Sequence, residues 1–157
     1  MKVAIIFGSL SDKEIMSNAA KCLKEFNIEY KAFVLSAHRV PELLKETIEN
    51  LEKEDFSIII AGAGMAAHLP GVIASLTTIP VIGVPINASL QGMDALLAIV
   101  QMPKSIPVAT VGINNSYNAG LLAVQILAIS NKDLKEKLSK FRIDMKENFK
   151  KNINVEL

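Results

Sequence analysis

The sequence predicts an α/β fold, a three-layer doubly wound parallel sheet with an added C-terminal helix. Short β-branched runs alternate with helical patterns along the chain, and repeated strand-then-helix units build a parallel sheet. Two of those runs, Ser57-Ile58-Ile59-Ile60-Ala61 and Pro80-Val81-Ile82-Gly83-Val84, are apolar on both faces. Strands read that way when helices cover the sheet on both sides. A charge-rich tail after residue 130 adds one helix to a fold that is already complete.

Taken in order, strands are expected near residues 3–7, 30–35, 57–61, 80–84 and 107–113, with helices between them. Ser11-Asp12-Lys13-Glu14 has the spacing of a capping box, in which a serine and a glutamate three residues on satisfy free backbone N–H groups. Pro41, after Ser36-Ala37-His38-Arg39-Val40, sits where a first helical residue tolerates its missing N–H. Two helices should therefore begin just beyond strand ends. Residues 131–157 carry eight basic and five acidic side chains, and Leu134, Leu138, Phe141, Met145 and Phe149 recur at spacings of four, three, four and four. They make one helical stripe, which packs either on its own domain or on a neighbouring subunit. Without an internal repeat, low-complexity stretch or interdomain linker, residues 1–157 are expected to form a single domain.

Charge and cysteine content narrow the function. Seventeen basic against sixteen acidic residues leave a formal charge of +1, too little to draw nucleic acid or an anionic membrane by electrostatics alone. Cys22 is the only cysteine, so no disulfide forms within the chain and no paired-cysteine metal site exists. That usage, and an N-terminus that runs straight into Val3-Ala4-Ile5-Ile6-Phe7 without a signal-peptide pattern, point to the cytoplasm. Between Asp55 and Lys132 the only charged residues are Asp94 and Lys104. Polar residues and prolines interrupt every apolar stretch there, so no membrane span is expected. A small domain has too much surface to hide so neutral a middle by itself, and a homo-oligomer is expected to cover it.

Ligands in an open parallel sheet bind at the carboxyl ends of strands, near the point where strand order reverses. Three segments qualify. In Gly8-Ser9-Leu10-Ser11-Asp12 the glycine permits close backbone approach and the next helix offers free N–H groups to an anion; the segment is either a phosphate cradle using Ser9 or an ordinary strand-to-helix turn. In Ser36-Ala37-His38-Arg39-Val40-Pro41 a guanidinium able to make paired charge-assisted bonds to phosphate stands beside an imidazole suited to proton transfer. His38 is a catalyst or a structural hydrogen-bonder, and adjacency to Ser36 and Arg39 favours the first. Ala61-Gly62-Ala63-Gly64-Met65-Ala66-Ala67-His68-Leu69-Pro70-Gly71 is no dinucleotide fingerprint, because it follows the third strand and continues into Met-Ala-Ala. Its small residues let the main chain touch a flat ring, or let a helix pack closely; His68 is a second polar group of the site or a satisfied core histidine. The two histidines are thirty residues apart and lack neighbouring ligands, so no metal is expected. No Gly-x-Ser-x-Gly elbow or Walker-type loop occurs, which leaves small phosphate-bearing substrates.

Read together, Gly-Ser-Leu-Ser-Asp, Ser-Ala-His-Arg-Val-Pro, Gly-Ala-Gly-Met-Ala-Ala-His-Leu-Pro-Gly and Val-Gln-Met-Pro-Lys-Ser-Ile-Pro-Val-Ala-Thr resemble the catalytic subunit of phosphoribosylaminoimidazole carboxylase, the class I N5-carboxyaminoimidazole ribonucleotide mutases. The resemblance runs from about residue 3 to residue 130. It implies a flavodoxin-like sheet, a homo-octamer with sites at subunit contacts, and conversion of N5-carboxyaminoimidazole ribonucleotide to 4-carboxy-5-aminoimidazole ribonucleotide in purine biosynthesis. Carried over, it implies that Ser9, Ser36 and Arg39 hold the phosphate, Asp12 the ribose hydroxyls, and Ser11 the flank of the ring. Ala63 and Gly64 would supply backbone contacts, His68 and Leu69 would bound the space for carbon dioxide, and His38 would be the acid and base.

The chain departs from the family pattern where Met65 and Ser105 stand for the usual glycines, both expected to add bulk near the site, and at Asn114-Asn115-Ser116-Tyr117-Asn118. Three rival readings remain at this level. Direct carboxylation of aminoimidazole ribonucleotide goes with Ala-His-Lys-Gly-Pro where this chain has Ala37-His38-Arg39-Val40-Pro41. A flavodoxin-like binding or electron-transfer module would want aromatic stacking, and the chain has no Trp and only Tyr30 and Tyr117. A purely structural oligomer would have no use for His38.

Overall fold

Runs of Val, Ile and Phe are stiff at χ1 and suit a pleated surface better than a helix, and they set the strands. In the computed structural model, which describes residues 1–151 together with 153 and 154, these are β1 (Lys2–Phe7), β2 (Glu29–Val34), β3 (Phe56–Gly64), β4 (Val81–Ile86) and β5 (Ala109–Thr110). They alternate with the helices α1 (Lys13–Glu25), α2 (Pro41–Lys53), α3 (Leu69–Leu76), α4 (Met93–Val100), α5 (Ser116–Leu127) and α6 (Lys132–Lys150). Single 3₁₀ turns at Leu10–Asp12 and Leu90–Gly92 lead into α1 and α4. All neighbouring strands are parallel, in the order β2-β1-β3-β4-β5. This is the doubly wound, flavodoxin-like order, and its direction reverses between β1 and β3.

Two apolar cores flank the sheet, as its double-sided hydrophobicity requires. On one side Val3, Ile5, Ile58, Ile60 and Val84 meet α1 and α5 through Met16, Leu23, Ala123 and Val124. On the other, Ala4, Ile6, Ile59 and Ala61 meet α2, α3 and α4 through Leu44, Ile48, Ile73 and Ile99. Gly62 lets α1 approach β3: a Cβ there would lie 2.3 Å from Met16 Sδ.

Three element boundaries differ from the sequence expectation. β3 continues through Gly62–Gly64, because its ladder with β4 extends to Ala63↔Pro85 and Gly64↔Ile86; the glycines belong to the strand, not to the loop after it. Pro85 is tolerated because the β5 ladder stops at Gly83↔Thr110, leaving no partner that needs its N–H. β5 itself shrinks to two residues at the sheet edge, next to Pro107, which has no donor. The capping box at Ser11 does not form. Ser9 instead accepts from the Ser11 N–H to cap the 3₁₀ turn, and Asp12 at the start of α1 makes no side-chain cap. Pro41 opens α2 as expected.

The stripe on α6 divides. Leu134 is buried and Leu138 and Phe141 lean on the core beside α1, with the Phe141 ring 5.5 Å from Phe26 in an edge-to-face contact. Met145 and Phe149 further along stand exposed, the latter at 78 %.

Candidate active site

Because β1, β2 and β3 are adjacent and parallel, their carboxyl ends open on one side. Phe7 pairs with Val34 on one flank and Gly62 on the other, so the segments following all three strands meet above the point where strand order reverses. They line one cleft of about 370 Å3. Ser9, Ser11 and Asp12 enter it from β1, Ser36, His38 and Arg39 from β2, and Ala63, Gly64, His68 and Leu69 from β3. All ten side chains or backbone positions singled out in the sequence thus surround one space.

Local structure fixes each wall. The Ser11 hydroxyl lies 2.9 Å from Ser9 Oγ and 3.3 Å from Asp12 Oδ1, and the Asp12 N–H donates to the Ser9 carbonyl at 3.1 Å. Burial pushes the Asp12 carboxyl above the usual carboxylate range, opposed by the Ser11 hydroxyl and the Ser9 backbone. After β2, the Arg39 and Val40 N–H groups both donate to the Ser36 carbonyl, at 3.3 and 3.0 Å, a tight turn that presents His38 and Arg39 side by side. Gly64 closes the third wall: a Cβ there would meet Ala88 Cβ at 2.9 Å and the Ile86 carbonyl at 3.1 Å, so glycine lets the end of β3 lie close against the segment that follows β4.

The decisive contact joins the two imidazoles. His38 Nε2 and His68 Nδ1 lie 2.8 Å apart, with the rings nearly perpendicular at 83°. One ring therefore donates to the other, and the tautomer of each is tied to that of its partner. His68 is a polar member of the site and not a core histidine, because it is exposed to the cleft. Among the described residues, no three His, Cys, Asp or Glu side chains converge as a metal ion would need, and no helix is long and apolar enough to cross a membrane.

A roomier cleft of about 610 Å3 lies at the amino end of the sheet, lined in part by Glu52, Thr77, Ile79 and Ser105. Glu52 is the only ionisable group along it, so it lacks the paired acid–base and cationic chemistry of the first. Its lining corrects one expectation: Ser105 sits there and not beside the site, leaving Met65 as the substitution that bears on the cleft. Ala88, just past β4, and the small residues Gly8, Ala37, Ala66 and Ala67 also line the site. Position after a strand end is the one sequence signal that could have found Ala88, which has no functional group to mark it.

Residues 2–148 match the family model for AIR carboxylase. The chain belongs to that family. It is 58 % identical over 146 residues to the N5-carboxyaminoimidazole ribonucleotide mutase of Pyrococcus abyssi, covering 92 % of this chain and 84 % of that one. To the mutase of Saccharolobus solfataricus it is 54 % identical, covering 92 % of both. The crystal structure of Treponema denticola PurE superposes with a TM-score of 0.84 at 28 % identity, covering 98 % of this chain and 99 % of that one.

Proposed function

We infer that the chain is an N5-carboxyaminoimidazole ribonucleotide mutase of purine biosynthesis, an isomerase acting on a phosphoribosyl-imidazole in the cytoplasm. The observation that carries this reading is the His38–His68 contact set beside Arg39, Ser9 and Ser36 in one cleft, in a chain 58 % identical to a protein of that name. Arg39, with the Ser9 and Ser36 hydroxyls, binds the phosphate through its planar donors. Asp12 accepts from the ribose hydroxyls, and Ser11 flanks the ring. The Ala63 and Gly64 backbone faces the imidazole and its carboxylate, while His68 and Leu69 bound the space beyond.

His38 moves the proton. It delivers one to the exocyclic nitrogen as the carbamate N–C bond breaks, which releases carbon dioxide and leaves an enamine-like ring. Carbon 4 of that ring then attacks the trapped carbon dioxide, forming the C–C bond, and the proton on carbon 4 returns to His38. Proton and carboxylate balance, so the reaction needs no cofactor and no metal. The protein contributes positioning, a proton shuttle and exclusion of water. His68, through its 2.8 Å contact, holds the His38 ring in one orientation and tautomer.

The assembly is a homo-octamer in this reading. It is supported by the exposed ridge Met93, Leu97 and Val100 along α4 and by the exposed distal half of the α6 stripe, apolar surface that neighbouring copies would cover.

Supplying each substrate to purified protein tests the function. Efficient conversion of N5-carboxyaminoimidazole ribonucleotide is the expected result. Turnover of aminoimidazole ribonucleotide with bicarbonate while the carbamate stays inert would replace the mutase by a carboxylase.

A further inference from the structure

We propose that Met65 is a modification site, whose oxidation to the sulfoxide by hydrogen peroxide closes the cleft to substrate; the effect on substrate rests on the mutase reading above. Four observations lead there. Met65 lines the cleft with Ser9, His38 and Arg39, and among the described residues it is the one methionine that does. It is the most exposed methionine of the chain, at 61 % against 55 % for Met1, 48 % for Met93 and 45 % for Met145, while Met16 is buried and Met102 partly so. Its backbone has φ of 55° in a turn closed by the Ala67 N–H on the Gly64 carbonyl at 3.0 Å, which pins the residue at the cleft wall. It stands where the family pattern carries glycine, so the shared reaction needs no side chain at this position and any control exerted through it belongs to this chain.

Oxidation of a thioether follows access, and an opening wide enough for a phosphoribosyl substrate admits peroxide, which is little larger than water. The step balances. A sulfur lone pair attacks one peroxide oxygen, the S–O bond forms as the O–O bond breaks, and the proton of the attacked oxygen passes to the departing hydroxide, which leaves as water. Sulfur gives up two electrons and the peroxide takes them. A flexible apolar side chain becomes a polar one with an acceptor oxygen. Ser9, Ser11, Ser36 and Arg39 are donors along the same cleft, so the new oxygen competes with the substrate for them. The lone thiol offers peroxide no rival route: Cys22 is buried, and that burial, with Glu25 adding to it, pushes the thiol up to about 11, a state with little of the reactive thiolate.

Peptide mass mapping and kinetics test it together. Native protein is treated with hydrogen peroxide, digested to locate the added oxygen, and assayed in parallel with N5-carboxyaminoimidazole ribonucleotide. Met65 should gain one oxygen ahead of Met93 and Met145, and KM should rise by about fivefold or more in step with that gain. Bound 4-carboxy-5-aminoimidazole ribonucleotide should slow the oxidation of Met65 and leave that of Met145 unchanged. Methionine sulfoxide reductases, one for each epimer, should restore the native KM. Met65→Gly and Met65→Leu have no thioether there and should each keep its untreated KM through the same treatment. Met65→Gly should also melt no lower than the native protein, because glycine suits the left-handed backbone. Met65 left unmodified while Met93 and Met145 are oxidised would overturn the proposal. So would complete oxidation of Met65 with KM unchanged, or an equal rise of KM in treated Met65→Gly. Native protein that never turns over the carbamate would overturn the mutase reading, and the mass map would still decide the modification.

Discussion

At the scale of single residues, His38 and Asp12 are under opposite demands in the cleft. In the proposed mechanism His38 changes protonation during each cycle, and in His38→Asn the amide keeps the approximate size and a hydrogen bond toward His68 but does not shuttle a proton. Turnover should fall by roughly 10²- to 10⁴-fold with the assembly and melting temperature close to native, read by steady-state assay beside light scattering. Activity within a few-fold of native would remove His38 from the mechanism. Asp12 is different. Its carboxyl is pushed up by burial, so the folded chain holds that proton more tightly than the unfolded chain and the carboxylate costs stability once it ionises. The sign follows: the contribution is favourable below the ordinary Asp range and declines as pH rises through the raised folded value. Asp12→Asn should therefore melt at or above the native temperature at neutral pH, with the gap closing as the pH falls through the carboxylate range. Its KM should rise, because the proposed ribose acceptor loses its charge and one of its two acceptor oxygens. A variant less stable than native at pH 7 and equally stable in acid would reverse the assignment.

At the scale of elements, α5 clasps α1 through contacts that pattern alone does not display. The Ser116 hydroxyl donates to the Ile15 carbonyl, Tyr117 donates to Glu25 at 2.6 Å, and Gly120 lets the helices touch. A Cβ at Gly120 would lie 2.9 Å from Cys22 Cβ and 3.0 Å from the Ala19 carbonyl. Burial, with Glu25 adding to it, pushes the Cys22 thiol up to about 11, so the lone cysteine is a packing group. Gly120→Ala gains helix propensity of about 1 kcal/mol but drives backbone and Cβ apart, costing about 1–3 kcal/mol. The expected outcome in chemical denaturation is a net loss of up to about 2 kcal/mol; a more stable variant would mean that α1 moves freely. The same contacts explain what the sequence does and does not reveal. Isoleucine runs identify β3 and β4, and Pro41 marks α2, because those signals are local. The end of β3 at Gly64 depends on a ladder to Pro85 and Ile86 some twenty residues away, and the cap moved from Ser11 to Ser9 because a 3₁₀ turn precedes α1. In the cleft, functional groups such as His38, Arg39 and Asp12 are legible by their chemistry. Ala88 carries none, and the His38–His68 contact spans thirty residues of chain that only the fold brings together.

At the scale of the whole molecule, the neutral stretch between Asp55 and Lys132 divides its apolar residues between two uses. Ile73, Val81, Ile82, Val84 and Ile99 disappear into the cores, but Met93, Leu97 and Val100 recur at spacings of four and three along α4 and stay about half exposed. Ala95 and Ile99 already bury the opposite side of that helix, so the outer ridge stays uncovered among the described residues. The charge pattern supports the proposed second copy as the partner, since so neutral a face offers a highly charged molecule nothing to pair with, whereas self-association of like apolar ridges is the isologous solution. A charge placed at the centre of such a contact loses its water without gaining a counter-ion. Native protein should accordingly give a light-scattering mass near eight times the 17.0 kDa of one chain, and Leu97→Glu should shift it to smaller species while the circular dichroism of each chain stays native. If the variant keeps the native mass, α4 is not a subunit contact. If the native protein is a monomer at working concentration, the octamer falls, and the cleft must close over its substrate with this chain's residues alone.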